Sequence, residues 1–185
     1  MGADRTCFIL KLARKRTAFN LLFFVIVGIF AKGSYLDILA GAPFILLGSF
    51  MRTLSAGTIR KNEVLTYTGP YRVCRNPLYL GSFLISAGLV IVADSIFPLL
   101  FFIVFFPLTY IPAILMEEEF LQRKFGEDYL LYRKCVPAFI PAVKKVDLTD
   151  FSWGRIKENR EYTNWGIIFI LIIITLIKSY LVFNK

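Results

Sequence analysis

The sequence predicts an all-α, polytopic membrane protein of about five transmembrane helices, on three observations. Of its 185 residues 57% are hydrophobic, above the roughly 45–50% usual for soluble domains. The apolar residues gather into runs at Thr17–Ala31, Tyr35–Leu54, Leu78–Ala93, Ile96–Met116 and Trp165–Phe183, and a crossing needs about 20 residues, with a range of about 17–25. The net charge of +9 lies between those runs, as it does when anionic headgroups rather than nucleic acid are the partner. Length points to one integral-membrane domain over residues 1–185.

The first and third runs are short, and each is predicted to borrow flanking residues or to pair with its neighbour as a hairpin. Their turns, Lys32-Gly33-Ser34 and Asp94-Ser95, are brief and polar. Pro98, Pro107 and Pro112 predict a kinked fourth helix, because each removes a backbone donor. Lys178 interrupts the fifth run and is expected to snorkel toward an interface. Alternating the spans puts the N-terminal arm, the 55–77 loop and the 117–164 region on one side. These carry 5, 5 and 9 Lys or Arg residues, Arg52 counted with the loop, against Lys32, Lys178 and Lys185 opposite. The positive-inside rule makes the basic side cytoplasmic, and the minimal loops suit a prokaryotic cytoplasmic membrane. Residues 1–16 are basic, and the apolar stretch after them lacks a small-residue cleavage site, which reads as an anchor rather than a removable signal.

Several chemistries are excluded by composition. The chain has no histidine, so imidazole bases, Ser-His-Asp triads and His-type zinc sites are out. Cys7, Cys74 and Cys135 have neither metal-ligand nor redox spacing, and no metal is expected. No phosphate-binding loop, dinucleotide glycine fingerprint or nucleophile elbow occurs.

Two segments carry the chemistry. Gly69 to Gly81 reads Gly-Pro-Tyr-Arg-Val-Cys-Arg-Asn-Pro-Leu-Tyr-Leu-Gly at the mouth of the third span. Gly69-Pro70 marks a turn. Pro77 suits the first position of a helix, with Asn76 as its cap. A helix start at the interface offers free backbone donors to an anion, while Arg72 and Arg75 add charge and Tyr71 and Tyr79 add hydroxyls. A headgroup-binding turn with belt tyrosines is the plainer reading of this segment alone.

The second segment, Glu117 to Tyr132, follows the fourth span. If it is helical, Leu121, Phe125, Tyr129 and Tyr132 form one apolar stripe, and Glu117 and Glu118 begin it. Glu119 points elsewhere, toward Arg123 at i+4. Carboxylates on a buried face need a cationic or hydrogen-bonding partner, although acids at a helix start also suit its dipole. Gly126 is a candidate break in this helix. Between residues 144 and 164 the chain is polar. Arg155, Lys157 and Arg160 suit anionic lipid, and Asn159, Arg160 and Glu161 precede the last span on the basic side. A solvated interfacial helix is the plainer reading there.

Together, Arg-Asn-Pro-Leu-Tyr-Leu-Gly, a span pair, Glu-Glu-x-x-Leu-x-x-x-Phe-Gly-x-x-Tyr-x-x-Tyr, Val136-Pro137 and Ile140-Pro141 resemble the isoprenylcysteine carboxyl methyltransferases. The similarity to the phospholipid N-methyltransferases grouped with them is looser. The resemblance covers residues 69–141, the motif-bearing core. It implies an S-adenosylmethionine pocket at the cytoplasmic face, built from Tyr71, Arg75, Asn76, Pro77, Tyr79, Gly81, Glu117, Glu118, Tyr129 and Tyr132. It implies methyl transfer to a lipophilic or small-molecule acceptor, a carboxylate or thiol. A phospholipid amine, or a non-catalytic scaffold that keeps the fold, is the alternative. Glu117 or Glu118 is expected to take the donor's amino or ribose groups, and Arg75 with the helix start at Pro77 its carboxylate. Asn76 stands where the eukaryotic enzymes have histidine. Residues 109–116 read Thr-Tyr-Ile-Pro-Ala-Ile-Leu-Met, where the prenylcysteine enzymes carry arginines suited to a substrate carboxylate.

Overall fold

A computed structural model of the chain describes residues 16–61 and 63–183. The arm before them, with Cys7, and Lys185 lie outside the described residues. Six α-helices follow one another: α1 (Arg16–Phe30), α2 (Tyr35–Thr58), α3 (Pro77–Ala93), α4 (Ile96–Cys135), α5 (Trp153–Glu158) and α6 (Glu161–Phe183), with a 3₁₀ turn at Gly69–Arg72. Among the described residues there are no strands. Helices α2, α4 and α6 are long and apolar enough to cross a membrane, and α1 and α3 are shorter apolar helices. The protein is thus an all-α polytopic membrane protein.

Both short helices lie in hairpins. Ser34 and Asp37 close a capping box at the start of α2, the Ser34 amide donating to Asp37 Oδ2 at 2.8 Å. The Lys32 amide donates to Ala93 O at 2.8 Å, tying the two hairpin turns together. Lys178 does not simply reach for water. Its ammonium donates to Gly28 O and Ile29 O, both at 2.7 Å, so α6 supplies the cation that closes the C-terminus of α1.

The tightest seam joins α2 to α3. Gly41 faces Gly88 and Gly48 faces Gly81, so two glycine layers, each seven residues apart on its helix, let the backbones meet. A Cβ built on Gly41 comes 2.5 Å from Gly88 O, and one on Gly48 2.6 Å from Gly81 O. Small residues at such a crossing are how membrane helices gain close packing where lipid offers no hydrophobic drive. Around the seam Val27, Ile45, Leu89, Val92 and Leu171 form the buried core.

Helix α4 departs from the expected kink. Pro98 sits in its first turn, where the missing donor costs no hydrogen bond. The backbone keeps helical dihedrals through Pro107 and Pro112 and breaks at Gly126 (φ 53°, ψ −125°). That region is open to glycine and strained for other residues. A ladder of rings, Phe101–Phe105 stacked at 4.4 Å, Phe102–Phe106 tilted at 5.2 Å and Phe106–Tyr110 stacked at 3.9 Å, runs along α4 toward the break.

Beyond α4 the chain doubles back over the mouth of α3. The Arg75 amide donates to Pro137 O at 2.9 Å and the Ala142 amide to Val73 O at 2.8 Å. Helix α5 corrects the expectation that Arg155 serves lipid. Its guanidinium donates to Gly57 O (3.2 Å), Thr58 O (3.1 Å) and Asp150 O, and Asn159 Nδ2 donates to Ala56 O at 2.9 Å. These bonds satisfy the C-terminal carbonyls of α2.

Candidate functional site

The two motif segments converge where α3 begins and the continuous part of α4 ends. Asn76 occupies the N-cap position of α3, and Pro77 the first helical one. The asparagine side chain makes no cap bond. Its Nδ2 donates instead to Ala138 O at 3.0 Å and to Glu118 Oε1 at 3.4 Å, so the side chain is turned toward the returning 136–142 strap and α4 rather than over the helix it heads. Arg75 lies beside it with Nη2 3.1 Å from Glu118 Oε1, both side chains about nine-tenths buried. Arg75 Nη1 also donates to Arg133 O at 3.2 Å. Glu118 thus has the cationic partner that its place on the stripe demands. Glu117, one residue earlier, accepts from Tyr79 OH at 2.7 Å, and Glu119 pairs with Arg123 on the surface.

The stripe survives the break at Gly126. Tyr129 is 1% exposed, and Tyr132 donates its hydroxyl to Tyr71 O at 2.7 Å. Burial pushes the Tyr129 phenol up to about 12, with the Glu118 charge adding to it, and raises Tyr71 and Tyr132 as well. All three rings are neutral at physiological pH. Buried Cys74 is pushed up to about 11 by desolvation, so it is an inert thiol. Three buried polar atoms, Arg75 Nε and the hydroxyls of Tyr71 and Tyr129, have no hydrogen-bond partner. Orphaned groups of this kind are rare in folded proteins and call for a ligand or water.

Two cavities meet at this cluster. The outer one, about 280 Å³, is lined by residues 59–61 and 64–66 on one side and by Leu121, Phe125, Tyr129 and Tyr132 on the other. The inner one, about 550 Å³, extends between α1, α3 and α6 past Asn20, Ser82, Ser86 and Tyr110. Tyr71, Arg75, Asn76 and Glu117 line both. Pro77 and Tyr79 line only the inner cavity, Tyr129 and Tyr132 only the outer. Glu118 stands behind the wall, holding Arg75. Gly81 lies in the α2–α3 seam, where an added Cβ would come 2.5 Å from Arg52 Cγ and 2.7 Å from Gly48 O; there it lets two helices touch.

Residues from outside the motifs complete the inner cavity. Arg52, on α2, forms a two-pronged pair with Glu161 at the start of α6, Nε–Oε1 2.7 Å and Nη2–Oε2 2.8 Å. Its Nη1 donates to Ser82 Oγ and Leu78 O on α3. Glu161 is 2% exposed and accepts further from Asn164 at 3.1 Å. Tyr110 donates to Asn20 Oδ1 at 3.0 Å and meets Tyr79 edge-on. The signal for Arg52 and Glu161 was an ionisable residue inside or capping an apolar run; nothing local pairs positions 109 apart.

The site's donors fit the implied methyl donor. An amino-acid end bearing both charges matches Arg75 and Glu117, and the orphaned hydroxyls and Nε supply hydrogen bonds for a polar ligand. Among the described residues no three His, Cys, Asp or Glu side chains converge as metal ligands.

Comparisons with known proteins bear on the same stretch. The nickel-cobalt-cadmium resistance protein of Alcaligenes xylosoxydans xylosoxydans is 38% identical over 82 residues, 44% of this chain and 38% of that protein. The cobalt-zinc-cadmium resistance protein of Cupriavidus metallidurans is 37% identical over 82 residues, with the same coverage. The protein-S-isoprenylcysteine O-methyltransferase of Schizosaccharomyces pombe is 29% identical over 118 residues, 63% of this chain and 48% of that protein. The chain thus spans less than half the length of each of these curated relatives. No solved structure matches it. Residues 22–128, more than half of the chain, match the phospholipid methyltransferase family, and the chain belongs to that family.

Proposed function

We propose that the protein transfers a methyl group from S-adenosylmethionine to a lipophilic carboxylate or thiol at the cytoplasmic face of a membrane, as a single integral-membrane domain with residues 69–141 at its core. The observation that carries this reading is the Arg75–Glu118 pair at the junction of two cavities, flanked by three buried polar atoms without partners. One cavity suits a donor and the other an acceptor, with Glu117, Arg75, Asn76 and Tyr71 between them.

When bound, S-adenosylmethionine supplies a methyl carbon activated by its sulfonium, the C–S bonding pair leaving with sulfur as the acceptor's lone pair forms the new bond. This chain's residues bind and orient. Arg75, fixed by Glu118 and Arg133 O, presents its free Nε to an anion. Glu117, held by Tyr79, offers an oxygen to an ammonium or to ribose hydroxyls. Tyr71, Tyr129 and Tyr132 exclude water and donate hydrogen bonds as neutral phenols. Positioning of this kind is worth on the order of 7–11 kcal/mol in well-oriented reactions. Burial removes the tyrosines as bases and the sequence has no histidine; a carboxylate or thiolate acceptor, which has no proton to lose, suits such a site better than an amine.

Calorimetric titration of S-adenosylmethionine into purified protein, beside Glu118→Gln and Arg75→Ala, tests the reading. Micromolar binding that both variants lose supports it. No binding to folded wild type in detergent or in lipid leaves a non-catalytic scaffold.

A further inference from the structure

The methyltransferase reading leaves the Arg52–Glu161 pair without a task. Buried ion pairs contribute little net stability, since desolvation offsets their attraction, and apolar residues of similar volume often do as well or better. This pair is 18% and 3% exposed and sits in the wall of the inner cavity rather than in the helix core. A planar guanidinium holding a carboxylate by two parallel bonds is the geometry that recognises a carboxylate ligand. Four cations, Arg52, Lys61, Arg75 and Arg160, line that cavity against two carboxylates, Glu117 and Glu161. Its far end is apolar, with Phe23, Phe24, Ile85 and Ile168. An amphiphile with an anionic head and an apolar chain complements this gradient, whereas a cationic amine beside a sulfonium donor would be repelled.

We infer that the inner cavity is the acceptor chamber and that Arg52 selects a lipophilic carboxylate there, with Glu161 holding the guanidinium until the acceptor's carboxylate replaces it. The inference rests on the methyltransferase reading for its word "acceptor", but the binding it describes needs no methyl donor. Asn164, already bonded to Glu161, keeps a donor on the displaced carboxylate. Arg52 remains aimed at the chamber by Leu78 O and Ser82 of α3, which flank Tyr79, the partner of Glu117.

The test uses full-length protein in phosphatidylcholine nanodiscs, without methyl donor, in a Trp153→Phe background. Trp165, the remaining tryptophan, donates to Thr53 Oγ1 at 3.1 Å beside Arg52 and reports on the pair by its emission. The probes are N-dodecanoylglycine, its methyl ester and dodecyldimethylamine, titrated as mole fraction of lipid. The expected result is a saturable emission change with the carboxylate alone. It should be lost in Arg52→Gln and strengthened on the order of ten-fold in Glu161→Gln, where the competing anion is gone. A purely structural pair predicts the reverse for Glu161→Gln, namely weaker binding. No binding, binding of the amine or ester as tight as the carboxylate, or weakened or unchanged binding in Glu161→Gln overturns the inference. Failure of the methyltransferase reading shows separately, as absent S-adenosylmethionine binding while N-dodecanoylglycine still binds.

Discussion

Replacing Gly41 by alanine drives a methyl group into the backbone of the facing helix. The new Cβ falls 2.5 Å from Gly88 O and 2.6 Å from Val92 Cγ2. Carbon–oxygen contacts settle near 3.3–3.6 Å, so the helices must part locally by about 0.8 Å. Overpacking of this size costs about 1–3 kcal/mol, and the lost close contacts add about 0.5–1 kcal/mol each. A total near 2 kcal/mol lowers the midpoint of thermal unfolding by roughly 4–8 °C for a chain of this size. Gly88→Ala meets the same obstacle from the other side, 2.8 Å from Gly41 O, so one separation relieves both. Thermal unfolding in detergent should therefore show Gly41→Ala and Gly88→Ala adding to clearly less than their sum, a coupling expected of residues in contact. The Gly48–Gly81 layer lies about 10.5 Å along the helices, and there Gly81→Ala also pushes on Arg52 Cγ. Tm losses under 1 °C, or additive losses within the Gly41–Gly88 layer, would refute the close approach of α2 and α3.

Other outcomes follow from single contacts. Tyr129→Phe removes a buried hydroxyl with no partner, so the ligand-free protein should keep or gain stability, by up to about 1 kcal/mol, while calorimetry shows S-adenosylmethionine affinity falling several-fold. Gly126→Ala has open space around its Cβ but an unfavourable φ; at a strain cost of about 1–3 kcal/mol the helix should straighten, withdraw Tyr129 and Tyr132, and weaken donor binding more than stability. Arg155→Ala leaves Gly57 O and Thr58 O without their donor, and hydrogen exchange of the Ile59 amide, which closes that helix end on Ser55 O, should quicken at a cost of about 1–2 kcal/mol. Cys74 and Tyr129 bind protons more tightly folded than unfolded, with ordinary values of 9.0 and 10.0 raised to about 11 and about 12. Their contribution is whole below pH 9 and is lost as pH climbs toward 12, so thermal midpoints recorded from pH 8 to 11.5 should fall progressively above pH 9.

What could be read from the chain was whatever local spacing fixes. The hairpin turns, the separation of Glu117 and Glu118 from Glu119, and Pro77 at a helix start all follow from helical period and backbone restriction, and the structure reproduces them. Side chains whose partners are remote were read less well. Asn76 was expected to cap its own helix, but its Nδ2 bonds to the returning strap and to Glu118 and its side chain makes no cap bond. Arg155 looked like a lipid contact, yet unsatisfied carbonyls at the end of α2 claim it. The α2–α3 glycine layers went unread, because the seven-residue spacings of Gly41 and Gly48 and of Gly81 and Gly88 gain meaning only from the facing helix. Arg52 and Glu161 each appeared as a charge at the edge of an apolar run, and no pattern within either run pairs them.

The sequence separations inside the site bear on how it is made. Arg52 is synthesised 109 residues before Glu161, and Asn76 is 42 residues ahead of Glu118. While the chain emerges from the ribosome, α2 must reside in the bilayer with a cation near its end whose carboxylate has yet to be translated. Until that carboxylate arrives, the guanidinium lacks the two-pronged partner that holds it in the finished fold. Nascent chains arrested before residue 161 should therefore lack one wall of the inner cavity, the wall that Glu161, Asn164 and Ile168 of the final helix supply.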